Sequence, residues 1–481
     1  MKKCRVFFAF IPCVFLLVID ISGYAFNPVV SKNGIIIADT EGNWAYAWPV
    51  NCGLWSWGSE AIVHFGRRQW LGEECGGICH ERVKMAEGGG DMIRARTTDN
   101  GETWSIEGIV DGPSADASYP LDFYHSSFAL MSGGTEWGPT YDWFVVSYDR
   151  GRTWQGPYDN FPAGENRPDK VFAKNSTTAI TNVTMYEGEE SPRTLKTTDG
   201  GRNWEPRGSW PEYSGDDRSS GGYAIQTNTV RLGENELLAV GRSGGFGALY
   251  RSEDFGDSWN FERHVHPEAF TNQWVPCNLV VLGGEYPENT NTDHIVACWV
   301  ARGDWEKPNG DEIGSGLRVR YSNDKGHSWS DSVVNLRDDI QENPEAWWDI
   351  GYPLSFLRTD GKVCVVYYWQ SNEYTQPHIA YTIFDPNIDG VSVKPGLSAI
   401  KAGGHNLSAR FAAGTIVLDL PDNSGYSVII TDLSGQKITS VQTHKSIRAV
   451  IPVGMLAQGM YFIEAQRGEK TIRQSFAVVD R

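Results

Sequence analysis

A chain of 481 residues is long enough for one large domain plus a small one. Its 42 basic against 60 acidic residues leave a formal charge of −18, which argues against nucleic acid or an anionic membrane as the main partner. An anionic sugar held by a local arginine cluster stays open, and 19 Trp and 20 Tyr supply rings that suit sugar faces as well as cores.

Residues 1–25 read as a processing segment. Lys2, Lys3 and Arg5 precede an apolar run from Val6 to Ile19, and Gly23-Tyr24-Ala25 offers a small-x-small cleavage pattern. The run is short for a membrane anchor, so the mature chain is expected to be exported and to start near Phe26. Next come a run at Gly34 to Ala38 and a first strand set at Trp44 to Pro49, Glu60 to Phe65 and Met92 to Thr97, with a long Gly- and charge-rich connection at 66–90. A second set takes Ser126 to Met131 and Trp143 to Tyr148, and a third Ala179 to Met185 and Thr194 to Thr198. The fourth has Tyr223 to Leu232, Glu236 to Gly241 and Gly247 to Ser252; the fifth has Val275 to Leu282, His294 to Val300 and Gly316 to Tyr321. Tyr352 to Leu357, Lys362 to Trp369 and His378 to Phe384 make a sixth. From 401 to 481, short alternating runs such as Thr415 to Leu420 and Met460 to Ala465 predict a small β-sandwich.

Five of the sets share one turn. The pattern Ser/Thr-x-Asp-x-Gly-x-x-Trp starts at Thr97, Ser147, Thr197, Ser252 and Ser322 and ends at Trp104, Trp154, Trp204, Trp259 and Trp329. The Asp carboxylate is expected to accept N–H groups of its own turn, the Gly to take a positive φ, and the Trp to fold back over apolar surface. Such a period marks a stacked supersecondary unit with a continuous core. These turns resemble the Asp boxes (BNR repeats) of the sialidase superfamily. The resemblance implies an all-β, six-bladed β-propeller over 28–395, with the 34–38 run as the outer strand that joins the chain's ends. A seventh blade stays open if 101–122 or 330–350 hide strands. Asp432-Leu433-Ser434-Gly435-Gln436 and Gly459-Met460-Tyr461-Phe462 resemble the C-terminal sorting domains of type IX secretion, which implies the secretion machinery as a partner; a carbohydrate-binding module is the competing reading.

Six cysteines follow the processing segment: Cys52, Cys75, Cys79, Cys277, Cys298 and Cys364. An even count in an exported chain permits disulfides without giving their pairing. Cys75 and Cys79 before His80 read as a loop staple rather than a metal site. No pattern calls for a cofactor, and a structural divalent cation has no support in the residues.

For chemistry, the resemblance implies three arginines on a substrate carboxylate, a Tyr nucleophile assisted by a Glu, and an Asp acid/base. Arginine suits a carboxylate because its planar fork donates two hydrogen bonds. Tyr352 matches the nucleophile and Arg242 the second arginine, with Arg302 or Arg318 as a third. Ala47 stands where the first arginine belongs, and Arg67 and Arg68 are the candidates to replace it. Gln226 falls where the Glu is expected and cannot act as a base. Asp91 is the acid/base candidate, and Trp48 is expected on the pocket floor. His64, His80, His125 and Tyr124 support a second reading, because His or Tyr can take the C5 proton of a uronic acid while Arg steadies the enolate-like state. Three classes thus compete: a sialidase-type exo-glycoside hydrolase on a terminal acidic sugar, a polysaccharide lyase on ulvan- or rhamnose–glucuronate-type glycans, and a non-catalytic glycan-binding surface protein.

Overall fold

The computed structural model of the chain describes residues 26–388 apart from 71–89, 111, 133–142, 163–164, 186–192, 212–224, 244–245, 266–275, 302–304, 307–311, 314 and 340–349, and beyond 407 the strands given below. The processing segment, Cys75, Cys79, His80 and Arg302 therefore lie outside the described residues.

The described residues are almost wholly strand and turn. Six antiparallel sheets of three or more strands follow one another between Val29 and Asp385, and Trp305–Glu306 pairs with Glu312–Ile313 as a separate two-stranded ribbon. The first joins Trp44–Ala47, Glu60–Gln69, Asp91–Thr97 and Ser105–Ile109, with Leu54–Trp57 added on Glu60–Gln69. The second has Ala129–Ser132, Phe144–Ser147 and Gln155–Tyr158. The third has Glu165–Ala173, Ala179–Met185, Arg193–Thr197 and Glu205–Ser209. The fourth has Ile225–Arg231, Leu237–Ser243, Phe246–Ser252 and Asn260–His264. The fifth has Cys277–Val281, Ile295–Ala301, Gly316–Ser322 and Val334–Arg337. In the sixth, Gly351–Leu357, Val363–Trp369 and His378–Asp385 are completed by Val29–Ile37 from the other end of the region, with Gly34 opposite Tyr381. The strands within the two long linkers, Ser105–Ile109 and Val334–Arg337, pair into the first and fifth sheets.

Packing explains the composition of these strands. Apolar clusters fill the gaps between the first and second sheets, and between each later pair in turn to the fifth and sixth. A further cluster lies between the sixth and the first. Ile295–Ala301 and Val363–Trp369 are buried at every position, because both faces of their sheets are covered; they read as continuous apolar runs rather than alternating ones. Outer strands such as Ser105–Ile109 are mostly exposed. Each repeated turn sends its Trp into the gap shared with the preceding sheet: Trp154 meets Ile62, Trp204 meets Phe144 and Trp259 donates its indole N–H to Thr194 Oγ1 at 2.8 Å.

Two local readings are corrected. The segment expected as one strand from Trp44 to Pro49 stops at Ala47 and makes a single helical turn at Pro49–Cys52 before resuming at Leu54. Pro49 opens that turn, where its missing N–H would have no partner anyway, and Gly53 closes it at φ 100°. The long strand Glu165–Ala173 was not anticipated, because Asn166 to Lys170 break the apolar pattern; its register slips on both sides of Pro168. Cys277, Cys298 and Cys364 are buried free thiols and Cys52 is buried as well, and among the described residues no pair of cysteines forms a disulfide. Burial pushes the Cys298 and Cys364 thiols well up from their usual range.

The C-terminal residues form two sheets, one of Ser408–Ala412, Thr415–Asp419 and Arg448–Pro452, the other of Lys437–Gln442, Ser427–Asp432, Gly459–Arg467 and Lys470–Val478.

Candidate active site

Strand direction sorts the molecule into two ends. The repeated turn joins the last two strands of its sheet, so in the first, third, fourth and fifth sheets the innermost strand starts at the opposite end. The turn backbones agree. Asn100 donates to Ser59 O, Phe255 to Asn235 O and Lys325 to Asp293 O, which places each repeated turn beside the link between the first two strands of its own sheet.

At the opposite end three innermost strands carry the same backbone device. Of the described non-glycine residues with positive φ, four directly precede a glycine of the repeated turns and Asn387 follows the sixth sheet; the other three are Trp48, Gln226 and Tyr352, at φ 59°, 52° and 52°. In the fourth sheet Ile225 pairs with Arg242 but Asn228 with Val240, and in the sixth Gly351 pairs with Tyr368 but Leu354 with Val366. One extra residue in each innermost strand makes a bulge that re-aims a side chain. Large residues held in left-handed backbone are uncommon and cluster at functional sites.

The two bulges converge. Arg242 Nη1 donates to Gln226 Oε1 at 3.1 Å and to Tyr352 Oη at 3.3 Å. Tyr352 is 3% exposed, stands edge-on to Tyr368 and shares an apolar cluster with fully buried Trp48. Arg68 is buried with its guanidinium 6.0 Å from the Trp48 ring. Ala47 is buried opposite Gly66. Arg67 stacks on Trp44 at 4.6 Å and binds Asp91 through Nε at 3.1 Å and through Nη2, so the acid/base candidate sits in an ion pair on the adjacent strand. Arg318 is buried in the fifth sheet opposite Trp299, and that burial lowers its pKa against the pull of Asp338.

The histidines go elsewhere. His64 is fully buried between the first and second sheets, with Nδ1 2.9 Å from Met131 Sδ and its ring in a three-way aromatic cluster with Trp55 and Trp154. Burial, reinforced by Arg94 and Arg96, pushes its pKa down to about 3, so the ring is neutral and closed to solvent. His125 accepts the Ser127 N–H in a turn whose Ser127 carbonyl receives Arg150 N–H, and Tyr124 Oη donates to Lys174 O. Both residues therefore lie at the end of the repeated turns, away from the start of the innermost strands. The lyase reading calls for His64, His80 or His125 near Arg242; His64 is instead enclosed between the first two sheets, His125 lies at the end of the repeated turns, and His80 is outside the described residues.

Sequence places Trp44 only at the start of a strand, yet it is 37% exposed at the Tyr352 end. The available signal is its sequence neighbourhood: Trp48-Pro49 and Tyr352-Pro353 mark the two aromatic positions of left-handed backbone, and Trp44 lies one short strand before the first.

Comparison with known proteins bears on the fold and the C-terminal region. Residues 412–479 match the family described as Secretion system C-terminal sorting domain, and the protein is accordingly secreted or held at the cell surface. No curated protein sequence matches the chain. Among solved structures, a protein of unknown function from Dyadobacter fermentans is similar at 17% identity and TM-score 0.51, covering 74% of this chain and 99% of its own. The Hadza microbial sialidase Hz136 is similar at 15% identity and TM-score 0.44 over 73% of this chain and 68% of its own. The NanB sialidase of Streptococcus pneumoniae is similar at 10% identity and TM-score 0.45 over 73% and 70%. The likeness to the Dyadobacter fermentans protein speaks for the fold alone.

Proposed function

We propose that this protein is a secreted glycan-degrading enzyme of the sialidase type, an exo-glycoside hydrolase that removes a terminal acidic sugar at one end of a closed six-bladed propeller. The observation that carries the reading is the single cluster in which Arg242 bridges Gln226 and Tyr352. Three side chains from two sheets meet there, two of them on left-handed bulges, at the end opposite the repeated turns. The six sheets, the apolar cluster between the sixth and the first, and the pairing of Val29–Ile37 with His378–Asp385 support the ring.

In this reading Tyr352 Oη attacks the anomeric carbon and gives its proton to solvent water while Asp91 protonates the departing glycosidic oxygen. A water deprotonated by Asp91 then releases the sugar, and the tyrosine takes a proton back from solvent. A neutral phenol suits the task because it does not repel the substrate's carboxylate. Arg242 holds that carboxylate and, by donating to the phenol oxygen, steadies the negative charge that develops there as the phenolate departs in the second step. Gln226 orients Arg242 and takes no proton. Asp91 is the proposed acid.

The test incubates the purified protein with sialosides and, separately, with uronic-acid polysaccharides. Free sialic acid that disappears in Tyr352→Phe is the expected result. An unsaturated uronate absorbing in the ultraviolet would replace this reading with a lyase. Glycan binding without either product, unchanged in Tyr352→Phe, would replace it with a binding protein.

A further inference from the structure

We propose that Trp44, with Arg67 beside it, forms a second sugar subsite at the rim of the Tyr352 cluster, which holds the sugar next to the one removed. The proposal rests on the hydrolase reading above and adds what that enzyme recognises beyond the terminal unit.

Trp44 is unusual for its position. The exposed aliphatic residues Val29, Ile35, Ile106 and Ile109 all lie on outer strands, whereas Trp44 opens an innermost strand whose next three residues are buried. Its exposure does not come from a loose backbone. The Asp39 carboxylate accepts the N–H groups of Glu41, Asn43 and Trp44 at 3.1, 2.6 and 2.7 Å, and Asn43 O receives Trp70 N–H at 2.8 Å. The Gln376 amide of the sixth sheet also donates to Asp39 O. The turn is thus fixed from two sheets while the indole stays open to solvent.

The groups beside the ring suit a sugar. The Arg67 guanidinium lies over the indole and is held there by Asp91, with side chains 26% and 38% exposed. A flat apolar platform next to a fixed donor and a fixed acceptor can take the C–H face of a pyranose and its hydroxyls together. Ordering is already done in the free protein, so little side-chain entropy is lost on binding. Position sets the role. Consecutive Arg67 and Arg68 address Trp44 and Trp48 in turn, and Trp48 packs in the Tyr352 cluster. Four residues of strand at roughly 3.3 Å each put Trp44 about 13 Å from Trp48. Trp44 therefore serves a unit beyond the reacting one.

The test is isothermal titration of full-length Tyr352→Phe protein with sialyllactose and with free sialic acid. Sialyllactose should bind at least tenfold more tightly. Adding Trp44→Ala should bring that ratio close to one, and Trp44→Phe should restore most of it, with melting temperatures matched throughout. A ratio that survives Trp44→Ala overturns the subsite and leaves the hydrolase reading standing. A parallel loss for both sugars also overturns it, since Trp44 would then support the site as a whole. Binding of neither sugar overturns both.

Discussion

The two ends of the sheets are built on opposite principles. At the end of the repeated turns, every copy closes on itself. Asp99 Oδ1 accepts Thr103 N–H at 2.9 Å and Asp324 Oδ1 accepts Ser328 N–H at 2.8 Å; Thr97 Oγ1 and Ser322 Oγ receive the glycine N–H of their own turns. These bonds span four residues or fewer. Around them, Glu60 binds Arg96, Arg150 and Arg152, and Glu236 binds Arg251 and Lys325, so a carboxylate at the same place in two sheets clasps the next sheet's turn. At the other end the candidate site is not local. Arg242 reaches Tyr352 across 110 positions of sequence, on backbone that large side chains rarely adopt. A self-satisfied turn is robust and repeatable. A site assembled from distant strands depends on register and can change its chemistry through one side chain.

Breaking the site end should have the largest effect on activity and almost none on the fold. Tyr352→Phe is expected to lower kcat/KM about 10³–10⁴-fold on a cleaved sialoside, with an unchanged melting temperature. A comparable drop in melting temperature would make Tyr352 a structural residue.

Breaking the clasp should do the reverse. Glu60→Ala leaves buried Arg96 without one of its carboxylates and is expected to cost about 3–5 kcal/mol in denaturant unfolding, while glycan affinity stays within about twofold. A stability change below about 1 kcal/mol would show that the clasp is incidental.

His64 sharpens the comparison through pH. Its folded pKa of about 3 lies below the ordinary 6.5, so the unfolded chain takes up a proton across that window while the folded protein does not. Stability therefore falls as pH drops from about 6.5 towards 3. His64→Leu should flatten the melting temperature between pH 6 and 4 relative to the parent. An equal slope in both proteins would place the acid sensitivity in the carboxylates instead.

The smallest effect belongs to a single turn. Asp149→Ala should cost about 1–3 kcal/mol through turn donors left without an acceptor, with no change in sugar binding. Burial opposes ionisation of Asp149, but hydrogen bonds from Thr153, Ser147 and Arg152 outweigh it and hold its carboxyl below the usual range. This contribution is present at neutral pH and is lost as pH falls through the carboxylate range. Loss of activity at constant melting temperature would contradict a structural role.

What could be read from the residues follows this division. The five turns were legible because Asp, Gly and Trp at fixed offsets are each required by bonds and packing within one short segment. The apolar runs around Ile295 and Val363 were legible for a related reason: a strand covered on both faces has no polar side to display. Tyr352 and Arg242 could be nominated through the family resemblance, but their meeting at 3.3 Å depends on the order of the sheets and on the slipped register at Tyr352 and Gln226. Tertiary structure alone decided the rest. His64 looked like a free base on a strand until the second sheet covered it with Met131 and Trp154. His125 follows the first sheet closely in sequence but lies at the opposite end from the site, because an antiparallel strand carries the chain across the whole sheet within a few residues. Trp44 looked like an ordinary strand residue until the Asp39 turn left its ring in the open. Local bonding is written in local residues, whereas burial and convergence depend on which distant strand arrives alongside.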